Sequence, residues 1–197
     1  MSDKETLAVY NSKASDYADL TDEAGTKDPA LLAFLNHLPP QSHVLDLGCG
    51  PGHAAGTMVK AGHTVVAEDA SVEMIALAAR HAGVEARVAT FDDIGGKEAF
   101  DGVWANFSLL HAPRAKMPEY LDRLYTALKP GGLFHIGLKL GDGEKRDGLG
   151  RKYTYYSENE LVGLLQAAGF TPIALSFGSD PGLDGAMADW ICVLSRG

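Results

Sequence analysis

The chain alternates between two arrangements of apolar residues. Short, nearly continuous apolar runs are typical of strands covered on both faces, whereas apolar residues spaced three or four apart are typical of helices. The runs predict seven strands, at 43–47, 64–68, 86–90, 101–106, 132–138, 171–177 and 188–195. The wider spacing predicts helices at 4–20, 28–38, 52–62, 71–82, 95–98, 113–128 and 157–168. This alternation indicates a single α/β domain over residues 1–197, with a mostly parallel, doubly wound sheet.

Turn and capping residues support several of these boundaries. Asp28-Pro29 begins one helix, and Ser157 with Glu160 forms a capping box at the start of another. The helix at 113–128 ends in a lysine followed by a proline and two glycines. The polar, glycine-rich segment 140–152 predicts a loop.

Composition narrows the possible functions. The chain has 17 basic and 26 acidic side chains and a net charge of −9, which disfavours binding to nucleic acid or to an anionic membrane surface. We find no apolar span long enough for a membrane and no signal-peptide pattern at the start. Cys49 and Cys192 have neither disulfide-framework nor zinc-site spacing, and the seven histidines lack metal-ligand spacing. We therefore expect a cytoplasmic protein with no metal site.

The most informative motif is the run Val44–Gly52, in which an apolar strand ends in glycines at alternate positions 48, 50 and 52. Glycine permits a positive φ and lets the backbone approach a ligand that any Cβ would exclude. The helix that follows brings unpaired N–H groups to the same place. The motif predicts a site for a nucleoside-like cofactor.

Asp69 ends the next predicted strand, beside the glycine turn if the two strands are neighbours. Its carboxylate could accept hydrogen bonds from both ribose hydroxyls; alternatively it caps the helix at 71–82, a role for which Ser71 competes. A dinucleotide fingerprint would require glycine at position 53, where this chain has His53. Pro51 also lacks the N–H that a pyrophosphate would use.

With these motifs in this order, the chain resembles the class I S-adenosylmethionine-dependent methyltransferases over essentially its whole length. The glycine turn is followed by an acidic turn at Asp69–Met74, a fourth-strand motif at Ala99–Asn106, and Leu128–Gly132 ahead of the fifth strand. The resemblance implies S-adenosylmethionine as cofactor and S-adenosylhomocysteine as product. It also implies the strand order 3-2-1-4-5-7-6, with the seventh strand antiparallel.

The resemblance further assigns cofactor contacts by position. The methionine end falls to the glycine turn, the ribose to the acid after strand two, adenine to residues after strands two and three, and the methyl to the end of strand four. The methionine end would thus contact Asp46, Gly48, Cys49 and Gly50, and the ribose would contact Asp69. Adenine would contact Ala70, Met74, Phe91 and Asp92, and the methyl would lie near Asn106 and Phe107. The acid after strand three is ambiguous because Asp93 follows directly and both carboxylates could be solvated.

Three further residues are candidates for covering the cofactor or contacting substrate. Tyr10 and Tyr17 lie seven positions apart on one face of the predicted helix, either as a core stripe or as a lid over a sulfonium. His111 lies just past strand four, where substrates enter open α/β sheets. It is a candidate base or substrate contact, or alternatively a turn residue bonded to backbone.

A basic and aromatic segment follows strand five on the same edge. Its candidate substrate-binding residues are Lys139, Arg146, Arg151 and Tyr153. Arginines beside a cleft in an acidic protein could clamp a carboxylate or phosphate of the substrate; alternatively the segment is a solvated loop.

Together these features predict methyl transfer to a small-molecule acceptor by in-line displacement, driven by alignment and exclusion of water more than by a strong base. Three rivals remain open, namely a non-catalytic S-adenosylmethionine-binding protein, a nicotinamide-dependent reductase and a nucleic-acid methyltransferase, the last disfavoured by the net charge of −9. We expect no nucleic-acid or membrane partner and either a monomer or a homodimer. The acceptor is open because one cofactor site serves many substrates.

Overall fold

The computed structural model describes residues 3–197, and for residues 22–26 only the backbone; Met1 and Ser2 of the predicted domain lie outside the described residues. The strands are β1 His43–Leu47, β2 Thr64–Asp69, β3 Val84–Val88, β4 Phe100–Asn106, β5 Leu128–Lys139, β6 Glu144–Arg146, β7 Lys152–Thr154, β8 Thr171–Pro181 and β9 Met187–Arg196. The α-helices are α1 Lys4–Ser12, α2 Ala14–Lys27, α3 Pro29–His37, α4 His53–Lys60, α5 Val72–Ala78, α6 Met117–Ala127 and α7 Glu158–Ala167.

Seven strands form one sheet in the order β3-β2-β1-β4-β5-β9-β8. Strands β1 to β5 pair in parallel, whereas β9 runs antiparallel to both of its neighbours. This confirms the predicted fold class, strand order and antiparallel last strand. The order reverses between β1 and β4, and ligands of such sheets bind beyond the carboxyl ends of the strands at that point.

Helices cover both faces of the sheet, which explains the continuous apolar strands. On one face α3 and α4 bury Phe34 and Met58 against Val44. On the other face α6 and α7 bury Leu121 and Leu161. These helices do not cover the carboxyl edge of the sheet, which is covered by α1, α2 and the β6–β7 hairpin.

Several predicted elements differ from the structure. The helix at 4–20 breaks at Lys13, whose φ of −119° and ψ of 21° are not helical, because α1 packs on α5 while α2 packs on α4. The third strand is 84–88 instead of 86–90, and the predicted helix at 95–98 is wrong: the helical turn is the 3₁₀ turn Phe91–Asp93. The predicted loop 140–152 contains β6, which pairs antiparallel with β7.

Two absences concern residues 3–197 only. None of the helices described there is both long and apolar enough for a membrane span. In the same part of the chain, His, Cys, Asp and Glu side chains form no group of three or more that could hold a metal ion.

Candidate functional site

The glycine turn after β1 requires glycine for steric reasons. Gly48 and Gly50 have φ values of +71° and +52°, in the left-handed region. A Cβ on Gly48 would lie 2.2 Å from the Cβ of Ser108. The N–H groups of Gly48 and Cys49 donate to the carbonyl of Glu68 at 2.7 and 2.9 Å, which fixes the turn to the end of β2.

Asp69 organises this turn from the neighbouring strand. Its Oδ2 accepts from the N–H of Gly50 at 3.0 Å, and its Oδ1 accepts from the N–H of Ser71 at 2.8 Å. The cap of α5 is Ser71 instead, because its Oγ accepts from the N–H of Met74 at 3.1 Å. Burial raises the pKa of Asp69, and the backbone hydrogen bonds oppose that shift.

A first cavity of about 770 Å³ lies over the turn, between the carboxyl ends of β1, β2 and β4 and the covering helix α1. Eleven predicted site residues line it: Tyr10, Tyr17, Gly48, Gly50, Asp69, Ala70, Met74, Phe91, Asn106, Phe107 and His111. Asp3, Thr6 and Leu7 of the α1 end also line it. Residues scattered over the first 111 positions are therefore brought to one place.

A second cavity of about 1460 Å³ lies on the other side of the turn, toward α2, α3 and the β8–β9 hairpin. Asp46 and Cys49 line this one. Five residues line both cavities and form a shared neck: Tyr17, Gly48, Gly50, Asn106 and Phe107. The two cavities therefore adjoin at these five residues.

Asp46 lies buried at the second cavity, 2% exposed. Within the described residues its Oδ2 has no hydrogen-bond partner. Burial, and then repulsion from Asp69, raises the pKa of Asp46 to about 7, while the N–H of Ala55 opposes the shift. A buried, half-satisfied carboxylate is suited to a cationic ligand group.

Asn106 in the neck has a fixed amide. Its Oδ1 accepts from Nε2 of His135 at 3.0 Å, and its Nδ2 lies 3.5 Å from Oδ2 of Asp28. His135 stacks on Trp104, with 3.7 Å between ring centroids, and burial lowers its pKa to about 3. Phe107, the next residue, has a φ of +52°, a strained value for a non-glycine residue.

Tyr10 and Tyr17 form the roof of the first cavity despite the break between their helices. Their rings meet edge to face, with 5.6 Å between centroids. His111 accepts a hydrogen bond from Tyr10. Its Nδ1 donates to the carbonyl of Lys152 at 2.7 Å, so its Nε2 accepts from the Tyr10 hydroxyl at 2.9 Å. Burial lowers the pKa of His111 to about 4, which keeps the ring neutral.

The two arginines of the hairpin are already paired. Arg151 is buried, with its guanidinium 2.7–2.8 Å from the Asp147 carboxylate, and its Nη1 donates to the Tyr10 hydroxyl at 3.1 Å. Arg146 is partly exposed and pairs with Asp3 and Glu5 of α1 at 2.9 and 3.1 Å. Neither lines the described part of either cavity, and their contacts hold α1 against the β6–β7 hairpin; the anion clamp stays a prediction.

Three other predicted site residues are not among the described residues that line the two cavities. Lys139 places its Nζ 4.3 Å from the centroid of the Tyr153 ring, and Tyr153 packs on His111. Asp92 is exposed, and its Oδ1 accepts from the hydroxyl of Tyr120 at 2.8 Å. None of Lys139, Tyr153 and Asp92 lines the described part of either cavity.

Sequence reasoning missed most of the outer wall of the second cavity. The missed residues are Asp28, Trp104, Asp180, Trp190 and Cys192. The sequence marks Asp28, which precedes Pro29, as the start of a helix, but this pattern does not indicate that its side chain lines a cavity. The other four lie on β4, β8 and β9, and only the strand order brings them together.

The start of α4, where a dinucleotide phosphate would bind, is partly covered. His53 at this position has its Nε2 3.1 Å from the carbonyl of Ala18 on α2. An imidazole therefore stands where the dinucleotide fingerprint has glycine. The geometry gives no support to the nicotinamide alternative.

Comparison with known proteins agrees with this geometry. A family model described as a methyltransferase domain matches residues 44–132. A trans-aconitate 2-methyltransferase of Delftia acidovorans is 36% identical over 118 residues, which cover 56% of this chain and 43% of that protein. A ubiquinone biosynthesis O-methyltransferase of Nitrobacter winogradskyi is 34% identical over 95 residues, which cover 46% of this chain and 36% of that protein. The match thus spans less than half the length of both relatives.

Solved structures match over more of the chain, and one of them is a 1,6-didemethyltoxoflavin-N1-methyltransferase of Burkholderia thailandensis with bound 1,6-didemethyltoxoflavin and S-adenosylhomocysteine. It is 29% identical with a TM-score of 0.76, covering 98% of this chain and 87% of that one. This coverage includes α1, the hairpin and the long β8–β9 pair, as well as the glycine turn.

Proposed function

We propose that this chain, which belongs to the class I S-adenosylmethionine-dependent methyltransferases, transfers a methyl group from that cofactor to a small-molecule acceptor. The observation that carries the proposal is the neck shared by the two cavities. An adenosine fits beside Asp69 in the first cavity, and a methionine end fits beside Asp46 in the second. The reacting methyl would then lie between them, near Asn106 and Phe107.

The residues present suit such a cofactor. Asp69 lines the cavity and would accept from the ribose hydroxyls, while Ala70, Met74 and Phe91 offer an apolar surface to adenine. Asp46 offers an unpartnered buried oxygen to the α-ammonium group. Gly48 and Gly50 present backbone without a Cβ.

The bound cofactor supplies a methyl already activated by its sulfonium. The protein has to align the acceptor with that methyl and exclude water, and such alignment reaches effective molarities of about 10⁵ M or more. Tyr17 lies in the neck, and its ring can face a positive sulfur. Asn106 is held by His135 and can orient an acceptor by hydrogen bonding.

Base catalysis does not fall to His111 in this arrangement. Its lone pair at Nε2 is occupied by the Tyr10 hydroxyl, and its other nitrogen donates to backbone. We assign His111 to positioning Tyr10 over the cofactor.

Calorimetry with the purified chain tests the proposal. We expect saturable binding of both S-adenosylmethionine and S-adenosylhomocysteine, and no binding of NADH. Mass spectrometry of reactions with a panel of small acceptors should then show products heavier by one methylene unit. Binding of NADH without binding of either adenosyl compound would overturn the proposal.

A further inference from the structure

The outer half of the second cavity is built for more than the cofactor. Beyond the neck it extends between the start of α3 and the β8–β9 hairpin, with Asp28, Trp104, Asp180, Trp190 and Cys192 among its walls. Asp28 and Cys192 lie 3.5 and 3.9 Å from the Asn106 amide, so this part of the cavity begins at the neck. This half is the space left for a methyl acceptor, an inference that rests on the proposed function.

Two tryptophan side chains, Trp104 and Trp190, line this space. Trp104 is buried on β4 with its ring stacked on His135. Trp190 on β9 is held in place, since its Nε1 donates to Oδ2 of Asp180 at 2.7 Å. Phe107 meets Trp190 edge to face, with 6.1 Å between centroids. Rigid aromatic walls of this kind favour a planar ring system.

The charges around this space disfavour an anion. Among the described lining residues, the acids Asp28, Asp46 and Asp180 face a single lysine, Lys27, whose side chain is exposed. Arg146 and Arg151 of the β6–β7 hairpin are not among the described residues that line this cavity. A carboxylate or phosphate brought here would meet like charge, at a cost that grows in a partly buried site.

Asp28 divides its two oxygens between structure and cavity. Its Oδ1 accepts from the N–H of Ala30 at 2.8 Å and caps α3. Its Oδ2 faces the amide of Asn106 at 3.5 Å, too far for a strong hydrogen bond, so this oxygen has acceptor capacity left. Burial raises the pKa of Asp28, which makes it a better proton acceptor than an exposed aspartate.

We infer that the outer half of the second cavity binds a flat nitrogen heterocycle, uncharged or cationic, whose ring N–H donates to Oδ2 of Asp28. In the reaction the ring nitrogen forms a bond to the methyl carbon while the carbon–sulfur bond breaks and its electron pair stays on sulfur. The ring N–H proton passes to Asp28. A cationic sulfonium, a neutral ring and the Asp28 carboxylate thus become a thioether, a neutral methylated ring and a protonated Asp28.

Binding of small ring compounds tests this without turnover. In the presence of S-adenosylhomocysteine the probes are benzimidazole, 1-methylbenzimidazole, which lacks the N–H, and phthalate, a dianion of similar size. We expect benzimidazole to bind about 10-fold more tightly than 1-methylbenzimidazole, the effect of one buried hydrogen bond to a charged group, and phthalate to bind more weakly than both. The chain has two tryptophans, Trp104 and Trp190, and both line this cavity, so quenching of tryptophan fluorescence reports binding there.

Two substitutions at Asp28 separate its roles. Asp28→Ser keeps a helix-capping hydroxyl but is too short to reach the cavity, so the preference for benzimidazole over its methylated form should disappear. Asp28→Asn keeps the cap and the shape but accepts no proton, so methylation of benzimidazole should fall by about 100-fold. Asp122→Asn, an exposed change on α6, is the matched control and should alter neither property.

The outcomes distinguish the inference from the proposed function. If S-adenosylhomocysteine binds but phthalate or trans-aconitate binds more tightly than benzimidazole, the acceptor is anionic and the inference is wrong. If the cofactor binds but no benzimidazole binding is detected, or if the Asp28→Ser protein retains the N–H preference, it is likewise wrong. Loss of adenosyl binding itself would overturn the proposed function instead. If Asp28→Ser fails to fold, the Asp28→Asn result decides.

Discussion

The floor and the roof of the first cavity are built by different means. The floor is local: Gly48, Gly50 and Asp69 lie within 22 positions of sequence and are joined by backbone hydrogen bonds. The roof is distant: Tyr10 is joined to His111 and Arg151 across more than 100 positions by side chains. The floor therefore has no room for an added atom at Gly48, whereas the roof depends on keeping buried polar partners together. Substitutions should consequently fail in different ways in the two regions.

The largest effect is expected on the floor, from Gly48→Ala. The new Cβ would overlap Ser108, and alanine would have to adopt a φ of +71°, so we expect a loss of roughly 3 kcal/mol or more of stability. Binding of S-adenosylhomocysteine by calorimetry should be lost as well. Gly62→Ala is the matched control, since its φ of +94° is equally unfavourable but nothing lies within 4 Å of the added Cβ. It should cost only about 1 kcal/mol and leave binding intact.

On the roof, Arg151→Ala should be the most damaging change. It leaves the buried Asp147 carboxylate and the Tyr10 hydroxyl without their partner, and breaking a buried ion pair costs about 3–5 kcal/mol. Urea denaturation measures this, and Arg146→Ala, which removes a solvent-screened pair, should cost far less. Equal losses of stability in the two variants would contradict the distinction between a buried ion pair at Arg151 and a solvent-exposed one at Arg146.

Asp69→Asn sharpens the assignment of the floor to the ribose. It removes the negative charge but keeps a side chain of the same shape, so we expect affinity for S-adenosylhomocysteine to fall about 10- to 100-fold. Both Asp69 oxygens accept backbone N–H groups, so the amide nitrogen of asparagine would face one of these donors and stability should fall by about 1–3 kcal/mol. Asp92→Asn should leave that affinity unchanged, because Asp92 is exposed and lies outside both described cavity linings. A large effect at Asp92 would restore its predicted contact with adenine.

The smallest effect is a pH dependence of opposite sign in the two regions of the ligand-free protein. Beside the floor, at the second cavity, the pKa of Asp46 rises from 3.8 to about 7 on folding, so stability is lost as pH rises between these values. On the roof, the pKa of His111 falls from 6.5 to about 4, so stability is lost as pH falls through that range. Each slope should be on the order of 1 kcal/mol per pH unit.

Single substitutions separate the two slopes. In the wild type the two slopes largely cancel between about pH 4 and pH 6.5, because they are similar in size and opposite in sign. Unfolding measured from pH 4 to pH 7 should therefore show a net loss of stability toward acid in Asp46→Asn and toward neutral pH in His111→Gln. A slope that survives its own substitution would show that another group titrates.

Much of the floor could be predicted because its determinants are local. A glycine turn after an apolar strand, with an acid at the end of the next strand, specifies backbone geometry that few other sequences adopt. The strand order followed from resemblance and is confirmed by the sheet. The roof residues Tyr10, Tyr17 and His111 were identified as candidates, but their mutual contacts were not, since helical spacing says nothing about a break at Lys13.

The hairpin and the outer cavity show why the rest could not be predicted. Charged residues at 144–152 predict a solvated loop, and whether Arg151 faces solvent or Asp147 depends on the hairpin that buries it. Likewise Trp104 and Trp190 are ordinary strand residues in sequence, separated by 86 positions, until β9 inserts between β5 and β8.

The sequence by itself determined the fold class, the cofactor turn and the acid beside it, because those features depend on steric limits of glycine and on hydrophobic periodicity, which act over short stretches of chain. Only the tertiary structure decided which charged side chains form ion pairs with each other and which line a cavity. That distinction depends on burial and on partners more than 100 residues away, since a buried ionic group has to be paired whereas an exposed one does not.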